Sequence, residues 1–325
     1  VISIISIIFV VLGSKGGFMA AVVELSNVSS ETVPHFKGAF TSFFGPEPLT
    51  LFAIMILTSL GTWGLPQMIH KFYTIKNEKA IQTGTIISTV FALIIAGGSY
   101  FLGSFGRIFY TPSSDGTVAF DNIVPEMLGA VLPDILIGLV IIMVLSASMS
   151  TLSSLVIASS STFTLDFLKG TVLKNISSRA QVAIIKVLCV LFVALSVIIA
   201  MNPNNLITTL MGLSWGTLAG AFLGPFLYGL LWKRANKFAL WASIIMSLSI
   251  NVVNLILGVT AAPVAGAVAI LLSLVIVPLV SLVSPRQDKD QIDRIFSCYD
   301  EKIEMTVEHK FHLKEDEDNG KNGIR

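Results

Sequence analysis

The chain has 325 residues, of which 54% are apolar and only 13% are charged. Because a soluble globular domain carries about 25% charged residues, this composition excludes an ordinary soluble domain and predicts an integral membrane protein. Lysine and arginine total 21 against 20 acidic residues, and this balance argues against nucleic acid as a partner. The two cysteines, Cys189 and Cys298, provide neither a disulfide framework nor metal-ligand spacing.

The first residues, VISIISIIFVVLG, form an apolar run without an initial methionine, a basic start or a cleavage site. These features argue against a signal peptide and are typical of the second half of a membrane helix. We therefore expect the chain to be the C-terminal part of a longer protein.

Further apolar runs are long enough to cross the hydrocarbon core of a membrane, which takes about 20 residues in a helix. The run 132–165 exceeds one perpendicular span, so we expect it to tilt or to extend beyond the membrane. The pattern predicts an all-α membrane protein. Its predicted spans are 1–13 (half a span), 47–72, 81–105, 132–165, 180–201, 205–231, 236–258 and 262–284.

Basic residues are concentrated in alternate loops between these spans. The loops 71–80, 166–180 and 232–238 together carry nine lysines and arginines, whereas the loops 14–46 and 106–131 carry three. Because basic loops stay on the cytoplasmic side, we expect the C-terminus to be cytoplasmic. The loops 14–46 and 106–131 should face outward.

The composition changes abruptly after Pro285, where the sequence becomes charged and loses its long apolar runs. We therefore predict a transmembrane domain over 1–284 and a cytoplasmic charged tail over 285–325. The pattern around Ile292–Met305 fits a short amphipathic helix, but the expected state of the tail is a solvated segment. It is too short for a catalytic domain.

The second run contains LTSLGTWGLPQMIH, in which two glycines and a proline interrupt an apolar helix. Proline removes a backbone donor, glycine lowers the cost of unwinding, and discontinuous helices mark the substrate site of many secondary transporters. An ordinary proline kink is the alternative. The polar and aromatic side chains beside the break favour a binding site; these are Thr58, Ser59, Thr62, Trp63 and Pro66.

The run 205–231 carries a glycine at every fourth position, namely Gly212, Gly216, Gly220 and Gly224. Such a row of small residues lets helix backbones approach closely. We call it the glycine ladder and predict that it is a packing surface.

The segment SASMSTLSSLVIASSSTFTLDF carries a hydroxyl on eleven of the nineteen residues from Ser146 to Thr164. Hydroxyls in a membrane helix can bond to their own backbone or serve packing. Alternatively, neutral oxygens and carbonyls suit a dehydrated monovalent cation. Asp134 and Asp166 flank the span without entering its middle. The lack of carboxylates in the interior of the predicted spans, away from their ends, weakens a proton-coupled mechanism, and no catalytic constellation indicates an enzyme.

Three segments resemble the sodium:solute symporter family in their order and spacing. They are GTWGLPQMIHKF, SASMSTLSSLVIASSSTFTLDF and SWGTLAGAFLGPFLYGLLWKR. Its members include sodium/proline, sodium/pantothenate and sodium/sugar symporters, and the resemblance covers about residues 1–284. It implies a core of two inverted five-helix repeats. Residues 1–13 would end the first repeat, the runs from 47–72 to 205–231 would form the second, and two trailing transmembrane helices would follow.

The resemblance also implies a binding site for sodium. The hydroxyls of Ser150 and Thr151 and the carbonyl of Ala147 would bind Na⁺, and carbonyls from the broken helix of the other repeat, outside this chain, would complete the site.

The substrate positions of the family correspond to Thr58, Ser59, Thr62, Trp63 and Pro66. The sugar transporters have an amide at the position of Ser59 and an aromatic at that of Thr62, and the proline transporters have aromatics at those of Thr58 and Thr62. This chain has neither pattern, while GLPQ and FGRIF are closer to the pantothenate branch.

The resemblance thus implies sodium-coupled symport of a small organic solute by alternating access, in a multi-pass protein of the plasma membrane. Sodium, the solute and the lipid bilayer would be its partners, with no cofactor beyond the coupling ion. A proton-coupled or exchange carrier of the same architecture, or a transporter-like sensor that signals through its tail, are the alternatives.

Overall fold

The computed structural model describes residues 2–30, 37–66, 68, 75, 78–110, 120–172, 176–201 and 207–299. No β-strand occurs among them, so the predicted all-α class is confirmed. The chain forms two compact units: Val1–Pro48 with Ile75–Ile207 (unit 1), and Leu49–Thr74 with Thr208–Arg325 (unit 2).

The α-helices mostly fall within the predicted apolar runs, but two of them, Phe18–Ser26 and Ile123–Val131, lie in the predicted loops 14–46 and 106–131. In chain order they are α1 (Ile2–Ser14), α2 (Phe18–Ser26), α3 (Pro48–Trp63), α4 (Glu78–Ala92), α5 (Gly98–Ser104), α6 (Ile123–Val131), α7 (Asp134–Thr162), α8 (Ser178–Ala200), α9 (Ile207–Leu231), α10 (Lys237–Leu257) and α11 (Ala262–Val283). Short 3₁₀ turns occur at Ala39–Thr41, Gly106–Ile108 and Phe120–Asn122.

Six helical segments within the described ranges are long and apolar enough to cross a membrane. The bent pair α1–α2 would add a seventh if it counts as one span. The helix α3 is shorter, with 16 residues, and most of the predicted continuation to residue 72 lies outside the described residues. The long segments are Lys79–Ile108, Asp134–Val172, Ser178–Ala200, Thr208–Leu231, Lys237–Leu257 and Ala262–Val283.

Unit 1 begins with a sharp bend that the sequence analysis did not predict. The axes of α1 and α2 differ by 66°, and Gly17 at the bend has a φ of 103°, which a residue with a Cβ rarely adopts. Lys15, before the bend, forms an ion pair of 2.6 Å with Glu24 of α2. Val11 from α1 is fully buried in one small core of this unit.

Two stretches of unit 1 are π-helical. Leu93–Gly97 joins α4 to α5, and Phe163–Val172 continues α7 for ten further residues. The resulting helical segment Asp134–Val172 has 39 residues, so it is longer than the predicted 132–165. π-Helical turns are rare and are frequently found at functional sites.

Unit 2 is built around the glycine ladder of α9, and the predicted packing surface is confirmed. A Cβ added at Gly212, Gly216, Gly220 or Gly224 would lie 2.3–2.6 Å from an atom of α10 or α11. At Gly216 that atom is the Cα of Gly266, so two glycines meet at backbone contact. The backbones of α9 and α11 therefore pack with no side chain between them.

A polar face of α10 locks onto the same ladder. The buried Ser243 hydroxyl donates to the carbonyl of Gly220 at 3.0 Å, and the buried Ser247 hydroxyl donates to that of Thr217 at 2.8 Å. Asn251 continues this buried face. The sequence analysis missed it, although residues 243, 247 and 251 repeat every fourth position just as the ladder does.

Part of the charged tail is helical and contacts the turn after α9, while most of its described residues are exposed. Residues 289–299 are helical, so the helix begins earlier than the predicted Ile292–Met305. The carboxylate of Asp293 pairs with Lys233 at 3.1 Å, and the Tyr299 hydroxyl donates to the carbonyl of Leu230 at 3.1 Å. Residues 300–325 lie outside the described part of the chain.

Candidate functional site

The predicted sodium ligands lie on α7, well inside its apolar length. Pro133, with an extended backbone, precedes the helix, and its carbonyl accepts from the amide of Leu136 at 2.9 Å. Asp134 places a negative charge in the first turn, where the helix dipole favours it. Ala147 then lies about 20 Å along the helix axis from Asp134. The hydroxyls therefore stand far from either helix end.

Two of the three predicted ligands are brought together. The Thr151 hydroxyl donates to the carbonyl of Ala147 at 3.1 Å, and both residues are exposed. Because a hydroxyl has one hydrogen and two lone pairs, the Thr151 oxygen keeps acceptor capacity after this bond. A carbonyl and a hydroxyl oxygen thus lie side by side on one face of the helix, and both are neutral.

Ser150, the third predicted ligand, is exposed next to Thr151 in the chain. It lies on the neighbouring stripe of the helix, since residues one apart are rotated by about 100°. Within the described residues, no group of three or more histidine, cysteine, aspartate or glutamate side chains could hold a metal ion. The assignment of Ser150 as a sodium ligand stays a prediction.

Other hydroxyls of the same segment bond to local backbone. Ser154 donates to the carbonyl of Thr151 at 2.8 Å, and the buried Thr164 donates to that of Ser160 at 2.7 Å. These bonds are the structural role that the sequence analysis set beside cation binding. Local backbone bonding is therefore present on this segment, and cation binding stays a prediction.

Four of the five predicted solute positions lie on α3, where they fall on two faces of the helix, and Pro66 follows its end. Thr58 and Thr62 are half-buried, and their hydroxyls donate to backbone carbonyls of the preceding turn, at 2.9 Å for Thr58 to Ile54. Ser59 and Trp63 are exposed, with Trp63 at 67%. Ser59 and Trp63, four residues apart, therefore present the accessible face of α3.

The predicted break in this helix is confirmed, since α3 ends at Trp63 and a turn follows at Gly64. Gly64 has no positive φ, so the turn does not require glycine for its backbone conformation. A Cβ at this position would instead lie 2.7 Å from the Cα of Ala219 on α9. Gly64 thus allows close packing at the end of α3, where Pro66 is half-buried.

The long apolar helices define the class as a multi-pass helical membrane protein. The sodium:solute symporter family matches residues 1–246. The chain therefore belongs to the sodium:solute symporter family, and this confirms the resemblance seen in its sequence. The relatives it matches are transporters and not enzymes.

Several characterised relatives align with most of this chain. The sodium/pantothenate symporter of Haemophilus influenzae is 27% identical over 249 residues, which cover 75% of this chain and 49% of that protein. The sodium/proline symporter of the same organism is 28% identical, with 67% and 44% covered. The high-affinity proline transporter PutP of Bacillus subtilis is 30% identical, with 71% and 47% covered.

The chain thus spans about half the length of the curated relatives it matches. No solved structure matches it significantly.

Proposed function

We propose that the protein containing this chain is a plasma-membrane symporter that couples uptake of a small organic solute to sodium by alternating access. The observation that carries the proposal is the exposed pair of neutral oxygens at Thr151 and Ala147. It lies within a long apolar segment that has no carboxylate between Asp134 and Asp166. Family membership over residues 1–246 supports the same function.

The chemistry of the pair suits sodium more than a proton. A monovalent cation gains from several neutral oxygen ligands, whereas a proton relay in a membrane uses titratable side chains. Ser150 would add a second hydroxyl, and carbonyls from an inverted repeat outside this chain would complete the coordination.

Coupling requires that sodium bind one conformation better than the other, because a ligand shifts an equilibrium only by its differential affinity. In secondary transporters, one repeat or bundle moves against the other around a central site. Sodium at α7 would favour the outward-open state that receives the solute, and inward release would follow. The distribution of basic loops supports a cytoplasmic C-terminus.

The solute would contact α3 through its accessible face. Ser59 offers a hydrogen-bonding hydroxyl and Trp63 an apolar ring, and both are exposed. The relatives named for proline and for pantothenate suggest a small carboxylate-bearing solute. Thr58 and Thr62 are less available for direct contact because their hydroxyls already donate to backbone.

The test is uptake by cells that express the full-length protein, with labelled proline and labelled pantothenate as probes and sodium varied. We expect Thr151→Ala to raise the sodium concentration for half-maximal uptake about 10- to 100-fold, the value of a lost contact with a charged group. Thr151→Ser retains the hydroxyl and should restore most of the affinity.

Thr85→Ala is the matched control, because the Thr85 hydroxyl makes the same local bond, to the carbonyl of Ile81 at 2.8 Å on the exposed face of α4. It should leave the sodium dependence unchanged. Unaltered sodium affinity in both Thr151→Ala and Ser150→Ala would refute the site. Uptake that follows an imposed pH gradient without sodium would favour the proton-coupled alternative.

A further inference from the structure

Two open cavities of about 400 Å³ each adjoin at one end of unit 2. They are neighbours because Arg286 and Gln287 line both of them. One wall is the turn between α9 and α10, and the other is the segment that follows α11. Three apolar helices end or begin here, at Leu231, Lys237 and Val283. The cavities therefore lie where the membrane-spanning lengths of these helices stop.

The lining of the cavities is strongly basic. The positive side chains are Lys233, Arg234, Lys237, Arg286 and Lys289, and the negative ones are Asp288 and Asp293. Five cations against two carboxylates leave a net charge of about +3 around a small space, which attracts anions.

Two of these cations are held in place by the protein. Lys233 pairs with Asp293 at 3.1 Å, and Arg234 donates to the carbonyls at the end of α11, at 2.6 Å to Leu282. Because these bonds fix both side chains beside the cavity, part of the positive charge is pre-organised. Arg286 and Lys289 are exposed at the rim, where they can close on a ligand.

Asn236 provides an independent indication of a ligand. Its Oδ1 accepts from the amides of Phe238 and Ala239 at 3.1 Å each, so the orientation of its side chain is fixed. Its Nδ2 is buried and has no hydrogen-bond partner among the described residues. A buried N–H group without an acceptor is costly. Asn236 lines the second cavity, where an anionic oxygen would satisfy it.

We propose that these two adjoining basic cavities bind a phosphate group, which an anionic phospholipid of the surrounding membrane supplies. The location at the ends of three membrane helices places the cavities at headgroup level. Basic pockets between transmembrane helices bind such headgroups, and Trp232, which lines the first cavity, is a residue type enriched at the interface. Free inorganic phosphate shares the chemistry and is the other source.

The test measures thermal stabilisation of the purified full-length protein by dioctanoyl phosphatidylglycerol, dioctanoyl phosphatidylcholine and inorganic phosphate, each titrated separately. Phosphatidylglycerol should stabilise the protein at lower concentration than phosphatidylcholine. Arg286→Gln should weaken its apparent affinity about five-fold, the value of one basic residue near a membrane surface.

Asn236→Asp is the sharper variant. Aspartate keeps the oxygen that caps α10, and it is as good a capping residue as asparagine, so folding is preserved. It replaces the free N–H₂ donor by a negative oxygen, so phosphate binding should fall by at least as much as in Arg286→Gln. The matched control for Arg286→Gln is Arg294→Gln, which removes the same charge from an exposed position on the tail helix 289–299, outside the lining of both cavities.

Equal loss of affinity in Arg294→Gln and Arg286→Gln would overturn the site, because the effect would then be general surface charge. Phosphatidylglycerol that binds no better than phosphatidylcholine would overturn the anionic lipid as ligand. Stabilisation by inorganic phosphate alone, lost in Arg286→Gln and in Asn236→Asp, would assign the site to the free anion and overturn the lipid source.

Discussion

Gly216 lies at the closest approach between α9 and α11, and Gly216→Ala tests how tightly they pack. The added Cβ would lie 2.3 Å from the Cα of Gly266, whereas carbon atoms rest at about 3.5–4.0 Å. The two helices would have to separate by about 1.5 Å. Because the obstacle is backbone, no rotamer change relieves it, and we expect an overpacking cost of about 1–3 kcal/mol.

Gly229 on the same helix is the matched control, since a Cβ there meets no atom within 4 Å. Both substitutions gain about 1 kcal/mol of helix propensity, so the difference between them isolates the packing cost. Thermal unfolding of the full-length protein in detergent should place Gly216→Ala below Gly229→Ala by about 1 °C per kcal/mol, because the shift falls as chain length rises. Equal melting temperatures for the two variants would refute backbone contact between α9 and α11.

Two further stability predictions use the same assay. Gly64→Ala should cost about 1–3 kcal/mol, because its Cβ would lie 2.7 Å from backbone. Gly61→Ala should be tolerated, since its nearest contact would be an ordinary 3.6 Å; the reverse order would disprove the role of Gly64 in packing. Ser247→Ala should cost about 0.6–1.5 kcal/mol, whereas Ser196→Ala, whose exposed hydroxyl bonds within its own helix, should stay within about 0.5 kcal/mol. Similar losses in both serine variants would contradict the interhelical bond.

The spans were predictable because a membrane helix is specified by length and hydrophobicity alone. The predicted run 180–201 became Ser178–Ala200, and 262–284 became Ala262–Val283. The π-helical continuation of α7 was not predictable, since its apolar pattern does not distinguish α from π geometry. The bend between α1 and α2 occurs at Gly17, whose positive φ is a backbone conformation that hydropathy does not encode.

The candidate sodium site was predictable in part. The spacing of four residues placed Thr151 over Ala147 on one helix face, and the structure has the corresponding hydrogen bond. The packing role of Gly64 was not predictable, because proximity to α9 depends on tertiary structure. The buried serines of α10 could have been found by matching their four-residue period to that of the glycine ladder.

That same period makes the alignment of α9 on α11 ambiguous along most of its length. A helix displaced along its axis by one repeat, about 6 Å, would again present glycines to most of the backbone it faces. The ends of the ladder differ, since Thr208 precedes Gly212 and Tyr228 follows Gly224 at the same spacing. If α9 moved by one repeat in one direction, Tyr228 would take the place of Gly224, where even an added Cβ would lie 2.5 Å from the Ser273 carbonyl oxygen. If α9 moved in the other direction, Thr208 would take the confined place of Gly212. The glycines permit close assembly, and the two bulky end residues restrict it to a single register.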